Sequence, residues 1–134
     1  MTPSKTTLAL TRRLSGANYA DTIPRVKEAL AAQGFGVLTE IDVKATMKKK
    51  LDVDFRPYVI LGACMPKAAY QALQVDPEIG LLMPCNVIVS ELDGGEVEVM
   101  AVNATTLFTL VEHPQVESLS REVTASLQRA LDSL

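Results

Sequence analysis

Short apolar segments of strand length recur five times along the chain, and polar or turn-forming residues separate them. The predicted strands cover residues 5–14, 35–41, 56–64, 86–92 and 96–102. The third contains the continuous apolar run Tyr58-Val59-Ile60-Leu61, which is typical of a central strand covered on both faces. The last two are separated by Asp93-Gly94-Gly95, which predicts a hairpin and therefore antiparallel pairing.

Apolar spacings of three and four residues predict two main helices. The first ends at Gly34, and Pro24 lies either in its first turn, if the helix starts near Asp21, or at a kink. The last begins near Pro114. Shorter helices are predicted after Asp42 and from Pro66 onward. This order favours an α+β fold: a two-layer sandwich with an antiparallel sheet of about five strands and helices on one face.

Length, composition and charge indicate the broad class of the protein. The 134 residues predict a single domain, 1–134, and 48% hydrophobic residues are enough for a sizeable core. A net charge of -3 argues against nucleic-acid binding, which needs a basic face. No apolar run approaches the roughly 20 residues that span a bilayer. The chain start shows no secretory pattern, and two cysteines are expected to be free thiols, so we expect a cytoplasmic location.

Both cysteines lie in similar short segments, Gly62-Ala63-Cys64-Met65-Pro66 and Leu82-Met83-Pro84-Cys85-Asn86. In each, a hydrophobic strand meets a turn marked by proline. Cys64 also precedes the helix predicted to start at Pro66, whose partial positive charge favours a thiolate. Asn86 and the backbone N–H groups of that helix can add hydrogen-bond donors for an anion. Two cysteines are an incomplete zinc site, which usually has four ligands.

Several segments in order resemble the family called domain of unknown function 302, and the similarity covers nearly the whole chain. The segments are Glu40-Ile41-Asp42, Arg56-Pro57, Gly62-Ala63-Cys64, Asp76-Pro77-Glu78-Ile79-Gly80-Leu81-Leu82 and Pro84-Cys85-Asn86. The resemblance implies a curved antiparallel sheet like that of the TATA-binding-protein superfold, and a homodimer. It implies no activity. The chain departs from the family pattern at Met65, where asparagine is common, and at Asn103-Ala104, where Asp-Pro is usual.

The same resemblance implies that the third and fourth strands are antiparallel neighbours. Cys64 ends one strand and Cys85 precedes the other, so both cysteines are expected at the same end of the sheet. We therefore predict a ligand-binding domain whose site comprises Cys64, Cys85, Asn86 and Met65. Its ligand is a soft metal, for which the two cysteines are the candidate ligands, or a sulfur species or a small anion. No particular cofactor follows from these residues.

Two other interpretations remain open. Cysteine is often buried as a small hydrophobe, so Cys64 and Cys85 can be packing residues in a structural or partner-binding homodimer. Alternatively, Cys64 is the nucleophile of an enzyme. That function needs a base near Cys64, and His113, just before the last helix, is the single histidine in the sequence.

Overall fold

A five-stranded antiparallel sheet forms one layer of the protein, which the computed structural model describes over residues 8–134. Its strands are β1 (Ala9–Leu14), β2 (Gly36–Asp42), β3 (Tyr58–Cys64), β4 (Cys85–Glu91) and β5 (Val97–Val102). They lie in the order β1-β5-β4-β3-β2, and every neighbouring pair is antiparallel. The predicted α+β architecture is confirmed. The predicted beginning of the first strand, residues 5–7, lies outside the described residues.

The helices are α1 (Tyr19–Ala32), α2 (Val43–Leu51), α3 (Pro66–Val75), α4 (Ala104–Leu107) and α5 (Pro114–Asp132), with 3₁₀ turns at Pro77–Leu82 and Phe108–Leu110. The two longest helices, α1 and α5, form the second layer. Apolar side chains of α1 and α5 pack onto one face of the three central strands, as the 3.6-residue and two-residue periodicities require. The buried core includes Leu30, Leu61, Val87, Val99 and Leu127. Of the helices in residues 8–134, none is long and apolar enough to cross a membrane.

Local capping fixes where the helices start. The Asn18 side chain accepts a hydrogen bond from the Asp21 backbone N–H at 3.0 Å, and α1 begins at Tyr19. Of the two alternatives left open by the sequence, the start near Asp21 is therefore excluded: α1 starts earlier, and Pro24 lies inside the helix. Gly34 follows the end of α1 with a φ of +89°, a backbone conformation that favours glycine. Asp42 caps α2 by accepting from the Ala45 N–H at 2.9 Å, as predicted.

Edge strand β2 contains a β-bulge at Leu38. Val37 pairs with Ala63 and Thr39 pairs with Gly62, so Leu38 has no partner in the ladder. The extra residue reverses which side chains face the main core in the part of β2 that follows Leu38. As a result, Ile41 lies opposite Ile60 on the sheet face that points away from the main core.

That second sheet face carries an apolar row across four strands. The register aligns Ile41 with Ile60, Ile60 with Ile88, and Ile88 with Met100. Ile41 remains 48% exposed, and the other three side chains are half-buried. None of the four belongs to the buried clusters beneath the helices. We call this row the outer apolar row.

Candidate functional site

The β3–β4 ladder brings the two cysteine segments together. Cys85 lies directly opposite Ala63, so it is displaced by a single residue from Cys64 on the neighbouring strand. Both cysteines are free thiols, and both lie at the end of the sheet where β3 ends and β4 begins. The expectation that they share one end of the sheet agrees with this register, which the antiparallel pairing produces.

A cavity of about 320 Å³ lies at this end of the sheet. Cys64 and Cys85 both line it, although side-chain alternation places them on opposite faces of the sheet. Since Cys64 is the last residue of β3, the cavity continues around the end of that strand. The remaining walls come from α3, α5, edge strand β2 and the segment before β4. Their lining residues are Phe35, Leu38, Thr39, Ala63, Met65, Ala68, Ala69, Ala72, Leu73, Met83, Pro84, Phe108, Val116, Leu119, Ser120 and Val123.

Small side chains on α3 create the space. Ala68, Ala69 and Ala72 face the cavity within one turn of each other, where larger residues would fill the gap between α3 and the sheet. Leu38 and Leu73 also line the cavity and are 68% and 38% exposed, so the cavity reaches the surface between β2 and α3. The volume is at the lower end of the range of small-molecule sites, about 300–1,000 Å³.

Gly62 allows two cavity-lining residues to approach the end of β3. A Cβ atom at this position would contact Oγ1 of Thr39 and would lie 2.8 Å from Cγ of Pro84. Real Cβ atoms do not approach other atoms this closely, so any larger residue would displace a wall of the cavity. The glycine of the Gly62-Ala63-Cys64 segment therefore has a steric role beside the cysteines.

The cavity is almost free of polar groups. No charged side chain lines it, and its side-chain hydroxyls are those of Thr39 and Ser120. The Ser120 hydroxyl donates to the Glu117 carbonyl at 2.8 Å, within its own helix. A ligand inside would therefore be surrounded by carbon and sulfur atoms.

Burial controls the chemistry of Cys85. Burial, the larger cause, and the negative charge of a Cys64 thiolate together raise the pKa of its thiol from 9.0 to about 11. Cys85 is therefore protonated at neutral pH in the absence of a ligand that binds its sulfur. A thiol of this kind is a weak nucleophile, because reactivity depends on the thiolate.

The other predicted site residues separate into two groups. Met65 is the N-cap of α3, makes no side-chain cap hydrogen bond, and lines the cavity beside Cys64. Asn86 does not line it. Since Asn86 follows Cys85 along β4, it faces the other side of the sheet, where it is exposed beside a separate depression of about 230 Å³. Asn86 is therefore not a donor inside the cavity.

The backbone also offers less to an anion than predicted. Pro66 occupies the first position of α3, as expected, but proline has no N–H group. One of the donors at this helix start is therefore missing. The combination of an apolar lining and an absent N–H does not favour a small anion.

His113 is not part of the cavity. It is exposed at the N-cap of α5, and its Nδ1 accepts a hydrogen bond from the Gln115 backbone N–H at 3.1 Å. Cys64 therefore has no histidine beside it among the lining residues. The structure does not assemble the Cys64–His113 pair that the enzyme interpretation requires. Within residues 8–134, no three His, Cys, Asp or Glu side chains cluster in a way that would hold a metal ion.

Sequence reasoning missed most of the cavity wall. Met83 lines the cavity two residues before Cys85, and Phe108, Leu119 and Val123 close it from the C-terminal part of the chain. The proline-marked Met83-Pro84-Cys85 segment was the available signal for Met83. The α5 residues carried no such signal, because their helical periodicity is the same whether they pack on the core or border a void.

The comparisons with known proteins agree with this fold. The family model described as Domain of unknown function DUF302 matches residues 10–134. An uncharacterized conserved DUF302 protein from Bacillus stearothermophilus has a crystal structure with a TM-score of 0.86 and 27% sequence identity, over 95% of this chain and 98% of that chain. No curated protein matches the sequence. The chain belongs to the DUF302 family.

Proposed function

We propose that this protein is a small-ligand-binding domain whose site is the cavity at Cys64 and Cys85. The observation that supports it best is a cavity of about 320 Å³ that reaches the surface and contains both cysteines. Packed interiors rarely keep voids of this size, so a cavity of ligand volume is the usual sign of a binding site.

The lining selects among the ligand classes that the sequence leaves open. Soft metals and apolar sulfur species match walls of carbon and sulfur, whereas a small anion would lose its hydration without gaining a cationic partner. We therefore favour a soft or apolar ligand. A cytoplasmic location suits such a site, because a reducing compartment keeps free thiols reduced.

Native mass spectrometry tests this function on protein purified without oxygen and without added metal or reductant. We expect the wild-type chain to carry a bound species. In Ala69→Leu, a larger side chain on α3 fills part of the cavity and should remove that species. Ala125→Leu makes the same change at an exposed position of α5 that does not line the cavity, and should keep it. An unmodified mass for the wild-type chain would overturn the proposal.

A second candidate function is partner binding as a homodimer, and the outer apolar row favours it. The row crosses four adjacent strands on the face away from the main core. A second copy related by a twofold axis would place the same apolar surface against itself, as isologous interfaces do. This function does not involve the cavity, so the two proposals can be tested separately.

A further inference from the structure

The cavity is lined by members of two separate hydrophobic clusters. The larger cluster is the main core, which supplies Phe35 and Ala68 to the wall. The smaller cluster joins α3, the 3₁₀ turn that follows it and the start of α5, and it supplies Ala72 and Val116. Phe108 packs against both clusters and also lines the cavity. A ligand in this space would therefore add apolar contacts to both clusters at once.

The volume of the cavity sets the size of that ligand. An apolar cavity of about 150 Å³ stays dry and accommodates benzene, which is a single six-membered ring. The cavity of this protein has about 320 Å³. This is roughly twice as much space, so it fits two fused six-membered rings with about ten carbon atoms.

The walls of the cavity disfavour a charged ligand. No charged side chain lines it, and the raised pKa of Cys85 keeps that thiol protonated at neutral pH. The hydroxyl of Ser120 already donates within its own helix. A ligand with a carboxylate or ammonium group would lose its hydration without gaining a partner of opposite charge.

Phenyl and thioether side chains in the wall favour an aromatic ligand over an aliphatic one. Phe35 and Phe108 supply rings, which attract another ring in edge-to-face or offset-stacked geometry. Met65 and Met83 supply polarizable sulfur, which interacts favourably with a ring edge at a distance of about 5 Å. These contacts do not require the sulfur atoms to converge on one point. Side chains on different walls therefore each contribute to holding one flat molecule.

We propose that the cavity binds one uncharged aromatic molecule the size of two fused six-membered rings. This inference rests on the proposed ligand-binding function of the cavity and names the ligand class. Binding is non-covalent, and the molecule enters at the surface between Leu38 and Leu73. Because the ligand binds only the folded chain, it also raises the melting temperature of the protein.

Fluorescence titration with 1-naphthol tests the proposal. The chain contains no tryptophan whose emission would overlap with that of the probe. Excited 1-naphthol loses its proton in water and emits as naphtholate, whereas in a dry apolar site it emits as the neutral molecule. We expect emission from the neutral form, with one 1-naphthol bound per chain.

Two relatives of the probe test its charge and its aromatic character separately. 1-Naphthoate has the same rings with a carboxylate and should bind about tenfold more weakly, or worse. Decahydro-1-naphthol is the saturated analogue, and competition against 1-naphthol measures its affinity. It should bind about threefold more weakly or worse, because it loses the ring–ring and sulfur–ring contacts.

Variants locate the bound probe. Ala69→Leu should abolish the neutral emission, and Ala125→Leu should keep it. Phe108→Leu should reduce the preference for 1-naphthol over decahydro-1-naphthol. Phe55→Leu is the matched control at an exposed ring outside the cavity and should keep that preference. The preference is a ratio measured within one variant, so a loss of stability affects both probes alike.

Each contrary result has a distinct meaning. Equal affinity for decahydro-1-naphthol or for 1-naphthoate would overturn the uncharged aromatic class. Neutral emission that persists in Ala69→Leu would place the probe elsewhere and would also overturn it. If the wild type binds no 1-naphthol but carries a species in native mass spectrometry that Ala69→Leu removes, the aromatic inference fails while the ligand-binding function stands. If the wild type binds neither, both fail.

Discussion

Ala63 and Cys85 face each other across the β3–β4 ladder, and this pairing sets Cys85 one residue away from Cys64 on the next strand. The pairing has an electrostatic consequence. Burial and, to a smaller extent, the charge of a Cys64 thiolate together raise the pKa of Cys85 to about 11.

The first prediction concerns the alkylation of Cys85. In Cys64→Ser, the alkylation rate of Cys85 should remain low at neutral pH and rise with a midpoint above 9.0, because burial is the larger cause of its raised pKa. The midpoint should lie somewhat below that of Cys85 in the wild type, since the charge of Cys64 is gone. Mass spectrometry of the alkylated peptide measures both profiles. A midpoint at or below 9.0 would contradict the burial of this thiol.

The second prediction is that the free energy of unfolding depends on the ionisation of Cys85. Because folding raises the pKa of Cys85, this group stabilises the fold fully below pH 9.0, and the contribution is lost as the pH rises through about 11. The free energy of unfolding of the wild type should therefore fall more steeply over this range than that of Cys85→Ala. Urea denaturation at several pH values makes the comparison.

Gly62 should tolerate no side chain. A Cβ atom would meet Thr39 and Pro84, so Gly62→Ala should lower the free energy of unfolding by about 1–3 kcal/mol through overpacking. Gly36→Ala is the control on the adjacent strand, because a Cβ atom there would meet nothing within 4 Å. Chemical denaturation compares the two variants. Equal stability of both would show that Thr39 and Pro84 move aside without cost.

Asn103 should act as a cap for α4. Its Oδ1 accepts hydrogen bonds from the Thr105 N–H at 3.1 Å and the Thr106 N–H at 3.4 Å. Asn103→Ala should therefore lower the free energy of unfolding by about 1 kcal/mol. Asn103→Asp keeps an oxygen acceptor at the same place, so it should lose much less. If both variants lose the same amount in denaturation experiments, the capping role is wrong.

The homodimer proposal makes a prediction for the outer apolar row. Ile41→Lys places a charge on the exposed end of the row and should convert a dimer to a monomer, because a buried unpaired charge is costly. Leu110→Lys is the control at a side chain that is 79% exposed and outside the row. Light scattering after size-exclusion chromatography gives the mass of each variant. A monomeric wild-type protein would overturn the dimer, and the dimer stays a proposal until then.

Much of the fold could be predicted because its signals are local. The hairpin glycines, the Asp42 cap and the period of the α5 stripe each depend on residues within a few positions of one another. The unpredicted helix α4 shows the limit of such signals. It has four residues, too few for a periodicity to develop, and the Asn103 cap alone did not identify it.

The candidate site was harder to predict for two physical reasons. Placing Cys85 beside Cys64 needs only antiparallel strands, but deciding that Asn86 faces away needs the register, since a shift of one residue reverses the faces. Predicting the cavity requires more information than the register. Alanines at positions 68, 69 and 72 are equally compatible with close helix packing and with a void, and only the positions of neighbouring elements distinguish these outcomes. The likeness to the TATA-binding-protein superfold stays a prediction.

The bulge at Leu38 separates two roles, lining the cavity and pairing with the next strand, which a residue in a regular strand has at the same time. The ladder pairs Val37 with Ala63 and Thr39 with Gly62, so removal of Leu38 would leave the same pairs in place. Leu38 thus contributes its side chain to the rim of the cavity and nothing to strand pairing. The width and polarity of the entrance can therefore change by substitution or deletion at this one position, while the sheet keeps its register.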